Sequence, residues 1–131
     1  MQINSQGHKD LNVYKLAYNL AMEIFTLSKS FPKEELYSLT DQVRRSSRSI
    51  TANLAEAYRK RQYPKMFLSK LADADAELAE TAVWIDYAHD CRFLSKEKKE
   101  YLLNRYQEVG KMLGSMINHP EKFKITEKQK V

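Results

Sequence analysis

Apolar residues recur at steps of three and four along almost the whole chain, in four blocks separated by short breaks. The block "DLNVYKLAYNLAMEIFTLSKS" places Leu11, Tyr14, Tyr18, Ala21 and Phe25 on one helical stripe, and Phe31-Pro32 stops it. A second helix is expected from near Glu34 to about Lys60. Pro64 suits the first turn of a third, which runs to about Arg92. Ser95 is a suitable N-cap for a fourth, "SKEKKEYLLNRYQEVGKMLGSMINH", which Pro120 ends. The spacing thus predicts an all-α protein, an antiparallel up-down-up-down four-helix bundle over 10–119. It is expected to follow a flexible N-terminal segment, 1–9, and to precede a loosely held lysine-rich tail, 120–131.

Helical phase refines this picture. In the second helix Leu39, Val43, Ile50, Leu54 and Ala57 form one stripe, with Ser46 and Ser47 on its edges and Ser49 and Asn53 further round. Small hydroxyl residues there let a neighbouring helix approach, and Gln42 and Asn53 are expected to hydrogen-bond along the flanks. Arg44, Arg45, Arg48 and Arg59 fall on the opposite side. The first helix has more apolar residues than one stripe needs. Val13, Leu16, Leu20, Ile24 and Leu27 extend it, so Leu16 and Leu20 are expected at a contact between subunits. In the third helix Phe67, Leu71, Leu78, Ala82 and Ile85 form the core stripe, while Trp84 and Tyr87 lie beyond it near Asp73, Glu77 and Glu80. Aromatics beside charge fit a subunit interface, the alternative being a single exposed Trp of no consequence. Gly110 and Gly114, four apart, fit either close helix approach or a tolerated pair.

Composition narrows the class. A chain of 131 residues has room for one core, and three Gly with three Pro favour long uninterrupted helices. One cysteine, Cys91, precludes an internal disulfide framework, and no apolar run approaches the roughly 20 residues of a membrane span. The polar start "MQINSQGHKD" lacks the centre of a signal peptide, so a cytoplasmic protein is expected. The formal charge of +5 is unevenly spread: residues 41–65 carry +5 and residues 66–92 carry −4.

Catalytic patterns are absent. A di-metal bundle needs two Glu-x-x-His pairs, and Asp86-x-x-His89 is the nearest analogue, so no metal is expected. His89 reads as a hydrogen-bonded packing residue. Cys91 lacks a suitably placed base, and there is neither a nucleophile elbow nor a glycine-rich phosphate loop. None of His8, His89 and His119 has an Arg four to six residues before it, which argues against the bundle ribonucleases that use an Arg and a His at that spacing. A non-enzyme without cofactor is expected. Binding remains: Arg44, Arg45, Arg48 and Arg59, continued by Lys60, Arg61 and Lys65, form a basic ridge interleaved with Tyr58 and Tyr63. Such a ridge can hold phosphates without reading sequence, and tyrosines can stack unpaired bases. Alternatively it pairs with the acidic face of the third helix, in the same chain or the next, as in a head-to-tail ring.

The stretch "FPKEELYSLTDQVRRSSRSITANLAEAYRKR" resembles the signature of bacterial four-helix bundle proteins encoded in intervening sequences of 23S ribosomal RNA genes. The matching positions are Phe31-Pro32, Glu35, Tyr37, Leu39, Gln42, Arg45, Ser49-Ile50, Asn53 and Leu54-Ala55-Glu56. "YPKMFLSKLADADAELAETAVWIDYAHDCRFLS" and "YQEVGKMLGSMINHPEKF" resemble one branch of that family. Two family glycines are replaced, by Ala57 and by Arg92, and Arg92 is expected to leave the last connection without its cap. The resemblance implies a bundle that assembles as a homopentameric ring and supplies no catalytic residue. It extends to the accessory variability determinant of diversity-generating retroelements, a basic protein that binds nucleic acid together with a reverse transcriptase. The chain is therefore expected to be a ring-forming protein that binds RNA or DNA and assists RNA processing or a reverse transcriptase partner. The rival expectation is a homo-oligomeric scaffold whose arginines are consumed in salt bridges.

Overall fold

Four helices carry the chain: α1 (Asn12–Ser28), α2 (Asp41–Arg59), α3 (Pro64–Asp90) and α4 (Lys96–Asn118). The computed structural model describes residues 7–123, and among them there is no strand. Local chemistry sets the boundaries where the sequence places them. Pro64 opens α3, and the Ser95 hydroxyl accepts the Lys98 N–H at 3.1 Å to cap α4. The segment before α2 starts as expected but winds differently. A 3-10 turn (Lys33–Glu35) passes into a π-helical turn (Leu36–Thr40), where the Glu35 carboxylate accepts from the Ser38 hydroxyl and the Leu39 N–H.

The end of α3 departs from expectation. Arg92 adopts φ 67°, the left-handed conformation its missing glycine would take. Its N–H donates to the His89 carbonyl, and the Phe93 N–H donates to the Ala88 carbonyl, each at 2.8 Å. That is a complete Schellman cap, so the connection is capped despite the arginine. His89 supports it, with Nδ1 3.1 Å from the Leu94 carbonyl oxygen.

Neighbouring helices meet in opposite chain order, consistent with an up-down-up-down bundle. Between α1 and α2, Ser28 meets Arg44 and Phe25 meets Arg48. Between α2 and α3, Arg45 meets Glu80 while Glu56 meets Lys70. Between α3 and α4, Asp86 meets Lys99 and Leu78 meets Gly110; Glu23 of α1 meets Tyr101 of α4. The α2 stripe Leu39, Val43, Ile50, Leu54 and Ala57 is buried as predicted. In α1 the expected stripe is only partly buried, with Ala21 inside and Leu11 and Tyr14 against the core. Val13, Ala17, Leu20 and Ile24 enter the core, whereas Tyr18 stays about half exposed and Phe25 half-buried. Leu20, expected at a subunit contact, is fully buried in its own subunit, and Leu16 is half-buried against the same core. In α3, Leu78 and Ala82 only border the core, and Ala74, Thr81 and Ala88 continue the stripe instead.

The pairing of α2 with α3 is the most extensive in the bundle. Ser46 is completely buried there, which is the close approach that a small hydroxyl permits, and Ser47, equally buried, donates to the Arg44 carbonyl at 3.1 Å. The Thr81 hydroxyl sits opposite, 2.8 Å from the Ser46 oxygen and 2.8 Å from the Glu77 carbonyl, so the buried polar groups satisfy one another. The flanks behave differently: the Asn53 amide donates to the Ser49 carbonyl at 2.9 Å, but Gln42 makes no side-chain hydrogen bond among the described residues.

The ends are more ordered than the sequence indicates. Gly7–Asp10 form a 3-10 turn, with His8 edge-on to Tyr14 and Gly7 beside Tyr58. Pro120–Phe123 form another, placing Phe123 6.1 Å from Phe67 between ring centroids. The rest of the expected flexible segment and of the lysine-rich tail lies outside the described residues.

Candidate nucleic-acid interface

The basic ridge resolves into three environments. At the start of α2, Arg44 is half-buried because it leans across to α1. Its Nε donates to the Ser28 hydroxyl at 2.7 Å, and its guanidinium lies 4.9 Å from the Phe25 ring centre. Arg48, one turn later on the same face, lies 5.7 Å from that ring. Lys29, just past the end of α1, joins them with its ammonium 4.7 Å from the ring centre. Ser28 and Lys29 are not singled out by the sequence, and Phe25 only as part of the α1 stripe, because all three meet the ridge only through packing between helices.

Arg45 points elsewhere. One residue along a helix turns the side chain by ~100°, which carries Arg45 towards α3. There its Nη2 contacts the Glu80 carboxylate and its Nη1 lies 3.6 Å from Glu77 Oε1. Arg45, Glu77 and Glu80 are thus engaged with one another within one subunit, the same-chain form of the pairing between basic ridge and acidic face that the sequence allows. Burial raises the Glu77 pKa above the ordinary carboxylate range, and its contact with Glu80 adds to this while Arg45 opposes it.

At the far end, Arg59, Lys60, Arg61 and Lys65 surround the α2–α3 turn. The Arg61 Nε donates to the Tyr58 carbonyl at 2.8 Å, and its guanidinium lies 3.7 Å from the centre of the Tyr58 ring. Lys60 sits 5.9 Å from the Tyr63 ring centre, and Arg59 and Lys65 are exposed. Among the described residues no carboxylate lies within ion-pair distance of Lys29, Arg44, Arg48, Arg59, Lys60, Arg61 or Lys65. Trp84 is half-buried and lies 5.8 Å from exposed Tyr87, while Asp73 is exposed. Trp84 and Tyr87 border an open hollow of about 620 Å³ together with Tyr37 and Leu39. No group of three or more His, Cys, Asp or Glu side chains among the described residues could hold a metal ion. No described helix is long and apolar enough to cross a membrane.

These features define an all-helical four-helix protein with cationic side chains propped on aromatic rings. The chain belongs to the 23S rRNA-intervening sequence protein family, the match running over residues 9–115. Its fold is similar to that of a protein of unknown function from the S23 ribosomal protein family of Bacteroides thetaiotaomicron VPI-5482, known from a crystal structure. The TM-score is 0.74 at 30% identity, covering 81% of this chain and 95% of the other. No curated protein matches the chain.

Proposed function

We propose that this protein is a ring-forming, non-enzymatic bundle that binds nucleic acid, with RNA favoured, through the α2 ridge and its turn. The observation that supports it most is the contrast along one helix. Arg45 has two carboxylate partners, whereas Arg44, Arg48, Arg59, Lys60, Arg61 and Lys65 have none among the described residues. Cations left without counter-charge on a rigid helix are suited to phosphate. The rings beside them, Phe25, Tyr58 and Tyr63, hold the cations in place and limit the entropy lost on binding. In this reading the ring has five subunits, as the family resemblance implies, and the protein assists RNA processing or a reverse transcriptase.

The scaffold reading draws on the Arg45–Glu77–Glu80 cluster, which shows that this surface is capable of consuming an arginine. A salt titration of binding to generic RNA separates the two. Nucleic-acid binding predicts affinity that falls steeply with salt, and a shallower slope in Arg44→Glu/Arg48→Glu with the assembly intact. A scaffold predicts no RNA binding and an assembly broken by the same changes.

A further inference from the structure

Phe25 is the meeting point of three cations from two helices. Lys29 comes from the end of α1, and Arg44 and Arg48 come from successive turns of α2. Bringing like charges to one ring costs repulsion, which solvent screens in part at this surface. No described carboxylate offsets the rest here; Asp41, on the wall of the adjoining hollow, makes no ion pair. The ring attracts each cation through its face, and this cannot neutralise the group. The Ser28 hydroxyl is a second anchor. It is buried, donates to the Phe25 carbonyl at 3.0 Å and accepts the Arg44 Nε–H at 2.7 Å. That bond uses Nε and leaves the two terminal nitrogens of Arg44 with no acceptor among the described residues. Arg48 likewise donates no side-chain hydrogen bond among the described residues, and the hollow of about 590 Å³ that both arginines line, together with Arg45 but not Lys29, is open to solvent.

We propose that Lys29, Arg44 and Arg48, gathered on Phe25 and braced by Ser28, form a preset site for one phosphate group of a nucleic-acid backbone. The site rests on the nucleic-acid reading and narrows it. It recruits the end of α1 and makes no use of Arg45, which lines the same hollow but is held by Glu77 and Glu80. A phosphodiester supplies what the cluster lacks: a negative charge and two unesterified oxygens able to accept from guanidinium and ammonium at once. Arginines already held by ring and hydroxyl lose little freedom on binding.

The test measures the affinity of the full chain for a labelled mixed-sequence single-stranded RNA as salt is varied. Lys29→Gln and Arg48→Gln should each weaken binding about four-fold at physiological salt and lower the slope of log affinity against log salt by about 0.7. Ser28→Ala should lower affinity while leaving the slope unchanged, because every charge remains. Arg45→Gln should bind as the unaltered protein does. Thermal unfolding of each variant verifies the fold. If Lys29→Gln and Arg48→Gln bind normally while Arg59→Gln and Lys65→Gln do not, this site is overturned and the broader reading stands. If the unaltered chain binds no RNA, the broader reading fails. Inorganic phosphate then decides the site: a saturable NMR shift of the Arg44 Nε–H, lost in Lys29→Gln, upholds it as a free-phosphate site. No shift overturns it.

Discussion

Arg92 holds a conformation that an L-residue adopts at a cost, and it does so to complete the cap of α3. Glycine would adopt it freely, so Arg92→Gly should stabilise the protein by about 1 kcal/mol. Urea unfolding should show a higher midpoint with the slope unchanged. Glu77 gives the pH-dependent counterpart. Burial lifts its pKa above the ordinary 4.5, so the native carboxyl holds its proton more tightly than the unfolded one. The resulting stabilisation is full at low pH and is lost as pH rises through the raised value. Glu77→Gln should therefore unfold at higher urea than the unaltered protein at neutral pH. That advantage should vanish once the pH falls below the ordinary carboxylate range. At this scale the sequence was informative about identity and weak about partners. Arg44 and Arg45 look interchangeable as letters. Yet the turn of the helix sends one to Ser28 and Phe25 and the other to Glu77 and Glu80.

The phase of α2 could be read because its two faces differ sharply, charged arginines opposite Val43, Ile50 and Leu54. That of α1 could not. When apolar residues cover most of a helix, both Tyr14–Tyr18–Phe25 and Val13–Leu20–Ile24 satisfy the same period, and only packing against the other helices chooses. Thr81 was invisible for a related reason: a hydroxyl enters a core stripe only where another helix supplies a partner, here Ser46. The glycines divide likewise. A Cβ on Gly110 would lie 3.2 Å from Leu78, the close approach a glycine permits, while one on Gly114 would meet nothing within 4 Å. The α2–α3 contact depends on side-chain size at Ser46, which is fully buried. Ser46→Leu should force the helices apart and destabilise the protein by about 1–3 kcal/mol. Thermal unfolding would register that loss, whereas Ser46→Ala should be far milder, since Thr81 keeps its bond to the Glu77 carbonyl.

At the scale of the whole molecule, the bundle closes its core and still leaves large apolar side chains outside. Tyr18 and Met22 project from α1, Tyr37 from the π-helical turn, and Val83 and Tyr87 from α3. The apolar excess noted in the sequence is therefore present: Tyr87 lies outward as expected, while in α1 Tyr18 and Met22 carry it in place of Leu20, which lies inside. Arg45 neutralises part of the acidic face within the subunit, which weakens the charge contribution to any head-to-tail contact. In the proposed ring these exposed apolar side chains supply a drive for association, and that drive implies a weak dependence on salt, opposite in character to phosphate binding. Light scattering at micromolar concentration should accordingly give a mass several times the 15.4 kDa of one chain, at low and at high salt alike. Tyr87→Glu and Tyr18→Glu should each shift the mass towards one chain without lowering helix content, because both side chains are about half exposed in the subunit. A mass of 15.4 kDa for the unaltered protein would refute association outright. An assembly that dissolves on adding salt, with the tyrosine variants unaffected, would instead return the interface to the charged faces of α2 and α3.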